Sequence, residues 1–260
     1  MKSKKNTKKD IKNTGKIGNI FGFNLFSRDK LTLLKMIESD IAKNRKIWIA
    51  TVNPEFVMAT RRDNEFLKIL QVKTTYNVVD GIGLVWALKI TNLFDSFKVG
   101  IEILQGKHRE SLITGADLMD DLCAMAERNG KTVFFYGGWD DRAEKTAKYF
   151  LKKYSKLKVV GAQAENFDFK TKVDFLFVCR AMKKQEEWID TNWDKLQCKL
   201  VIGLGRTFDY YSNELTRAPI WMRDIGLEWL YSLFTDKGRR KRKIELLKFI
   251  WMVLKNHPRI

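Results

Sequence analysis

Short apolar runs alternate with segments of helical period through most of this chain, and that alternation limits what it can fold into. The runs lie at residues 18–26, 46–52, 77–79, 131–136, 158–161, 173–179 and 200–204. Between several of them, residues such as Leu33, Leu34, Ile37 and Ile41 recur at three- and four-residue spacing. A strand that is apolar throughout must be buried on both faces. Strands joined by helices achieve this as a mainly parallel sheet with helices on both sides. The expected fold is therefore α/β and Rossmann-like, with helices at 32–44, 56–70, 83–90, 118–129, 142–154 and 185–192. Residues 94–112 scatter Lys and Glu among aliphatics and read as an irregular segment near a site.

Within this pattern one stretch concentrates chemistry: Asn77-Val78-Val79-Asp80-Gly81-Ile82-Gly83-Leu84-Val85-Trp86. An apolar run ends on an acid, and two glycines let the backbone turn and a ligand approach. Asp80 is placed either as a general base at a strand end or as the cap of the following helix. Asn53, Gly137-Gly138 and Gly205 follow other apolar runs in the same way. In an open α/β sheet, ligands bind outside the carboxyl ends of strands. Gly137 and Gly138 are thus candidates for a nucleotide-diphosphate rest, with a plain tight turn as the alternative. There is no G-x-G-x-x-G and no P-loop, which argues against a dinucleotide oxidoreductase or an NTPase. No Asp-x-Asp pair offers a metal clamp, so a diphosphate would be met by Arg, Lys and backbone. Cys123, Cys179 and Cys198 lack ligand spacing, and the two histidines cannot form a His-rich centre, so no metal site is expected.

The placement of charge adds a second constraint. The net charge is +18, but residues 1–16 hold +6 and residues 235–260 hold +7, leaving a nearly balanced body. Residues 1–16 read as a disordered basic arm, 17–216 as the α/β core, and 217–260 as a tryptophan-rich, basic appendage. Charge confined to the ends suits an anionic surface better than a nucleic-acid groove. Residues 244–254 are nearly all apolar with basic flanks. At about 1.5 Å per residue they are too short to cross a bilayer core of about 30 Å, but suited to lying in its interface. The alternatives are packing back on the body or a homo-oligomer contact. No secretory leader is visible at the N-terminus.

Eight motifs occur in order: Thr51-Val52-Asn53-Pro54-Glu55, Asp80-Gly81-Ile82-Gly83, Thr114-Gly115-Ala116-Asp117-Leu118, Phe134-Phe135-Tyr136-Gly137-Gly138, Gln185-Glu186-x-Trp188-Ile189, Phe208-Asp209, Arg217-Ala218-Pro219-x-Trp221 and Gly226-Leu227-Glu228-Trp229-Leu230. Across roughly residues 18–242 the chain resembles the WecG/TagA/CpsF glycosyltransferases. The resemblance implies an inverting, metal-independent transfer of an N-acetylmannosamine-type sugar from a UDP donor, with no cofactor. The acceptor implied is a polyprenyl-diphosphate-linked N-acetylglucosamine, on the way to teichoic acid, common antigen or capsule-type polymers. It implies a protein peripheral to the cytoplasmic face of the plasma membrane, held there by the appendage. By position, Asp80 matches the family's base, Thr51, Asn53 and Gln185 match sugar- and donor-site residues, and Arg239 and Arg242 match arginines proposed to meet the departing UDP. Asp209 orients the site or caps a helix, Asp117 pairs with Thr114 as a cap, and Arg217 makes a structural or phosphate contact.

The pattern departs from the family at Leu112, where an arginine is usual, with Arg109 as a nearby substitute. It departs also at Ala181 and Lys183, which replace a glycine and a proline, at Arg206 and Asn213, which replace glycines, and at Ser232, which replaces an arginine. A non-catalytic nucleotide- or lipid-binding relative is the rival these losses raise. A nucleic-acid-binding protein is the rival raised by net charge alone.

Overall fold

The computed structural model describes residues 17–18, 21–235 and 240–256. The expected basic arm at 1–16 lies outside them. Two two-residue strands open the fold, β1 (Ile17–Gly18) and β2 (Leu25–Phe26), where a single strand at 18–26 is expected; they pair antiparallel. Next come α1 (Lys30–Ala42), β3 (Ile47–Val52), α2 (Pro54–Thr60), α3 (Asn64–Lys68), β4 (Tyr76–Val79) and α4 (Ile82–Lys89). They are followed by α5 (Leu93–Leu104), α6 (Gly115–Arg128), β5 (Thr132–Gly137), α7 (Arg142–Lys153), β6 (Lys158–Gln163), β7 (Lys172–Cys179), α8 (Lys184–Asn192) and β8 (Gln197–Gly203). Four helices complete the chain: α9 (Thr207–Tyr211), α10 (Ile220–Asp224), α11 (Glu228–Thr235) and α12 (Arg240–Asn256).

The sheet order is β1-β2-β4-β3-β8-β7-β5-β6, and every pairing except β1–β2 is parallel. The expected α/β architecture is thus present. β3 is buried along its whole length. Trp48, Ala50 and Val52 enter one core cluster, and Ile47 and Ile49 the other. β7 divides in the same way, with Leu176 and Val178 on one side and Phe175 and Phe177 on the other. A strand with two dry faces needs apolar residues at every position, which is why the runs are continuous rather than alternating. The chain leaves β3 toward β4, and reaches β3's other neighbour, β8, only after building β5 to β7. That reversal between β3 and β8 is a topological switch point, where parallel sheets open a crevice.

Two local expectations are corrected. Residues 56–70 are not one helix: Asp63 accepts the Phe66 N–H at 3.0 Å and starts α3 anew. An Asp side chain competes with the helical backbone for its own N–H groups, and here it wins. Residues 94–112 are not irregular throughout: Asn92 caps the twelve-residue α5 through the Asp95 N–H at 2.9 Å. Ser96, Val99 and Ile103 point into the body, while Phe94, Phe97, Ile101 and Leu104 are exposed. Asp95, Lys98 and Glu102 interrupt the aliphatics along the linear sequence, and gather on one side only when the segment is wound at helical period.

The appendage folds back on the core. Phe249, Met252 and Val253 of α12 are buried, Leu246 and Phe249 approach Gly83, and Arg62 pairs with Glu245 at 2.8 Å. Its other face exposes Ile244, Leu247 and Trp251. The tail thus packs back on the body by one face and leaves apolar residues exposed on the other. Among the described residues no helix is long and apolar enough to cross a membrane.

Candidate active site

The ends of β3 and β4 lie side by side, with Val52 opposite Val79. Asp80 extends β4 by one residue, its N–H donating to the Val52 carbonyl at 2.7 Å. The cap position of α4 falls to Gly81 rather than Asp80. Gly81 has φ +140°, a backbone region side chains rarely tolerate, and a Cβ there would stand 3.4 Å from Pro54. The glycine thus turns the chain and leaves Asp80, half-buried, at the strand end.

Its neighbours are fixed by the same logic. Thr51 is buried, and its hydroxyl donates to the Gly203 carbonyl at 2.8 Å, tying β3 to β8. Asn53 caps α2 by accepting the N–H groups of Glu55 and Phe56, so its amide NH₂ is the part left to meet a ligand. Gln185 is buried; its Oε1 accepts the Gly205 N–H at 2.8 Å and its Nε2 donates to Glu186 at 2.6 Å. It thereby joins the exits of β7 and β8.

These ends open into a cavity of about 740 Å³. Thr51, Asn53, Asp80 and Gln185 all line it, bringing together strand ends far apart in the chain. Gly137, Gly138 and Asp209 do not. A Cβ on Gly137 would lie 2.4 Å from the Cys179 carbonyl oxygen, and the Gly138 N–H donates to that same oxygen. The pair lets β5 and β7 exit in close contact, and the next residue, Trp139, reaches the cavity. Asp209, 1% exposed, sits behind the wall and holds Arg142 and the cavity-lining Arg206, and both guanidinium groups lie over Trp139. Arg239 lies outside the described residues, and Arg242 is described only as part of the α12 backbone.

Arginines face the cavity from two sides. Arg180 and Arg206 stand at the exits of β7 and β8; Arg180 is braced by the Tyr136 hydroxyl at 3.0 Å. Arg109 and Arg217 precede α6 and α10, and Arg223 lies in the last turn of α10. Arg217 forks onto Asp117 at 2.6 and 3.1 Å and reaches Glu228 at 3.0 Å, so it makes the structural contact. Burial opposes ionisation of Asp117, but the Arg217 hydrogen bonds and charge and the Thr114 hydroxyl outweigh it and hold the carboxyl at about 2. The Nε of Arg223 is buried without an acceptor among the described residues. Arg180, Arg223 and Trp139 are not among the residues expected from sequence. Arg180 and Trp139 carried one available signal: each follows the end of an apolar strand, as Asp80 does.

Several departures surround the same cavity. Leu112, Ala181, Arg206 and Ser232 line it. Lys183 has φ +70°, a conformation closed to proline, whose ring fixes φ near −65°. The loop before Gln185 therefore follows its own path, held by Lys183–Asp63 at 2.6 Å.

Behind that loop, burial pushes the Glu186 carboxyl up to about 7, against the Gln185 amide and backbone N–H groups that favour its charge. Its folded pKa lies above its ordinary value of 4.5, so the folded chain binds this proton more tightly. The stability it supplies is complete below pH 4.5 and is lost as the pH rises through 7, a change of roughly 3 kcal/mol. Urea midpoints should accordingly fall between pH 5 and pH 8 in the wild type. The Glu186→Gln variant should lack that slope, whatever its constant penalty; equal slopes in both would remove Glu186 as the source.

A model of the glycosyl transferase WecG/TagA/CpsF family matches residues 18–259. An N-acetylglucosaminyldiphosphoundecaprenol N-acetyl-beta-D-mannosaminyltransferase of Bacillus subtilis (strain 168) is 30% identical over 217 residues, covering 80% of this chain and 78% of the relative. The protein of that name from Staphylococcus aureus (strain MRSA252) is 26% identical over 272 residues, covering 98% of each chain. That from Bacillus spizizenii is 26% identical over 223 residues, covering 82% and 81%.

Proposed function

This chain belongs to the WecG/TagA/CpsF family of glycosyltransferases, and we propose that it moves an N-acetylmannosamine-type sugar from UDP to polyprenyl-diphosphate-linked N-acetylglucosamine. The reaction is inverting and metal-independent, and it serves a teichoic-acid-type surface polymer. The observation that carries the reading is Asp80 at the carboxyl end of β4, on the wall of a cavity shared with Asn53 and several arginines. Asp80 takes the proton from the acceptor hydroxyl as that oxygen attacks the anomeric carbon. The new carbon–oxygen bond forms on the face opposite the breaking bond to UDP, and the anomeric configuration inverts. Base catalysis of this kind contributes about 10²–10⁴-fold.

The departing diphosphate needs positive charge without a metal. Arg180 and Arg206, set by Tyr136 and Asp209, offer forked donors suited to phosphate. By the resemblance to the family, Arg239 and Arg242 of the appendage are the further candidates for this charge. The Thr51 hydroxyl proton and one Gln185 N–H are used within the fold, which leaves the Thr51 oxygen as an acceptor and the second Gln185 N–H as a donor for the sugars. The enzyme works at the cytoplasmic face of the plasma membrane, where a lipid-linked acceptor meets a soluble nucleotide sugar.

The test is product formation. The protein is incubated with UDP-N-acetylmannosamine and a short-chain lipid-diphosphate N-acetylglucosamine in EDTA, with UDP and the disaccharide-lipid followed by mass. Product is expected, with inverted anomeric configuration by NMR. Product that appears only after a divalent metal is restored would overturn metal independence, and UDP binding with no transfer to any acceptor would favour the non-catalytic reading.

A further inference from the structure

We propose that α5 is a second lipid-contacting element, and that its outer face rests in the headgroup boundary of an anionic bilayer beside the cavity mouth. This rests on the acceptor being lipid-linked. The exposed residues Phe94, Phe97, Ile101 and Leu104 are 82%, 73%, 58% and 52% accessible, and their 3-4-3 spacing aligns them as one stripe. Four such side chains in water are an unusual exposure for a helix of this length, and an apolar face with a polar margin is how a helix lies in a membrane interface.

The stripe is continuous with the site. α5 also gives Gly100, Ile103 and Leu104 to the cavity wall, so Leu104 belongs to both surfaces. A Cβ on Gly100 would meet nothing within 4 Å, which leaves a low point in the wall between the cavity and Phe97. A hydrocarbon chain leaving the cavity there would reach Phe97 and Ile101 without crossing polar surface. The helix is also held rigidly. Trp86 donates to the Ser96 carbonyl at 3.0 Å, Arg109 donates to the Arg223 carbonyl, and Gly226 sits where a Cβ would lie 3.0 Å from Ile103.

A bilayer fits this face better than a second copy of the chain. α5 is about 18 Å long at about 1.5 Å per residue, and one such helix pair falls well short of the about 800 Å² per partner of a stable interface. Around α5, Lys98, Lys107 and Arg109 are offset by Asp95, Glu102 and Glu110, so the charge that complements an anionic leaflet comes from the chain's ends, +7 over residues 235–260, which include α12. Exposed Ile244, Leu247 and Trp251 of α12 supply the other footing, so the two helices together set the angle of the cavity.

The experiment uses the full chain and a Phe97→Glu/Ile101→Glu double variant, neither residue lining the cavity. Cosedimentation with phosphatidylglycerol–phosphatidylcholine vesicles should weaken at least about tenfold, since each large apolar side chain removed from the lipid boundary is worth about that much. The melting temperature should hold. Turnover of a short-chain, water-soluble acceptor should be unchanged, while turnover of a vesicle-embedded acceptor falls with binding. Wild-type vesicle binding in the double variant would overturn the proposal, as would a wild-type dimer that the variant splits with vesicle binding unaltered. If the wild type turns over neither acceptor, the functional reading fails, and the vesicle measurement still decides the role of α5.

Discussion

Replacing Asp80 with Asn should lower the transfer rate by roughly 10²–10⁴-fold, the usual worth of a positioned base. Asn keeps the shape of the side chain and removes its negative charge and its ability to take a proton. Because Gly81, not Asp80, occupies the cap position of α4, the substitution removes no helix cap. UDP binding should persist, and the loss should fall on kcat. Single-turnover assays with saturating acceptor separate these quantities. A rate within about tenfold of wild type would leave Asp80 without the role of base. An equal loss of UDP binding would move it from proton transfer to donor recognition.

Arg217→Met should be the most damaging change for stability among the residues discussed, at about 3 kcal/mol, or about 6–12 °C in melting temperature for a domain of this size. Met preserves the stem of the side chain. What disappears is the fork on Asp117, the bond to the Thr114 hydroxyl at 3.1 Å and the bond to Glu228. Glu228 then loses this counter-ion, and Asp117 is left with the more distant Arg223 at 3.9 Å. The same guanidinium links the start of α6 to α11, whose Glu228, Trp229 and Ser232 line the cavity, so KM should rise as well. The penalty should depend on acid in a defined sense. Asp117 is held at about 2 against an ordinary 3.8, so its contribution is complete above pH 4 and is lost as the pH falls through 2. The gap between wild type and variant should narrow over that window, and only in part, because Asp117 is 41% exposed and solvent screens it. Equal melting temperatures at pH 7 would show that the appendage is held by apolar packing alone.

Much of the architecture is legible in local patterns. The continuous apolar runs of β3 and β7 announce a sheet buried on both sides, and the residues that end them lie where ligands gather. The helices miscast from sequence fail for physical reasons. In α5, Asp95, Lys98 and Glu102 interrupt the aliphatics in the linear sequence and gather on one side only once wound; α3 begins because one carboxylate, Asp63, captures a backbone N–H inside an otherwise helical pattern. Gly137 and Gly138 carry a phosphate-binding look, but their freedom is taken up by the crossing of two strand exits.

By itself, the sequence determined the alternation of strands and helices, the acid at the end of β4 and the glycine turn behind it. Each depends on neighbours a few residues away, where side-chain period and backbone freedom act directly. Only the tertiary structure decided which strand ends converge. Thr51 meets Gly203 across 152 residues because β3 and β8 flank the point where the sheet reverses. It also decided which arginines face the cavity and which carboxylates hold them. Strand order and ion pairing are settled by packing between distant segments, and no local pattern carries that information.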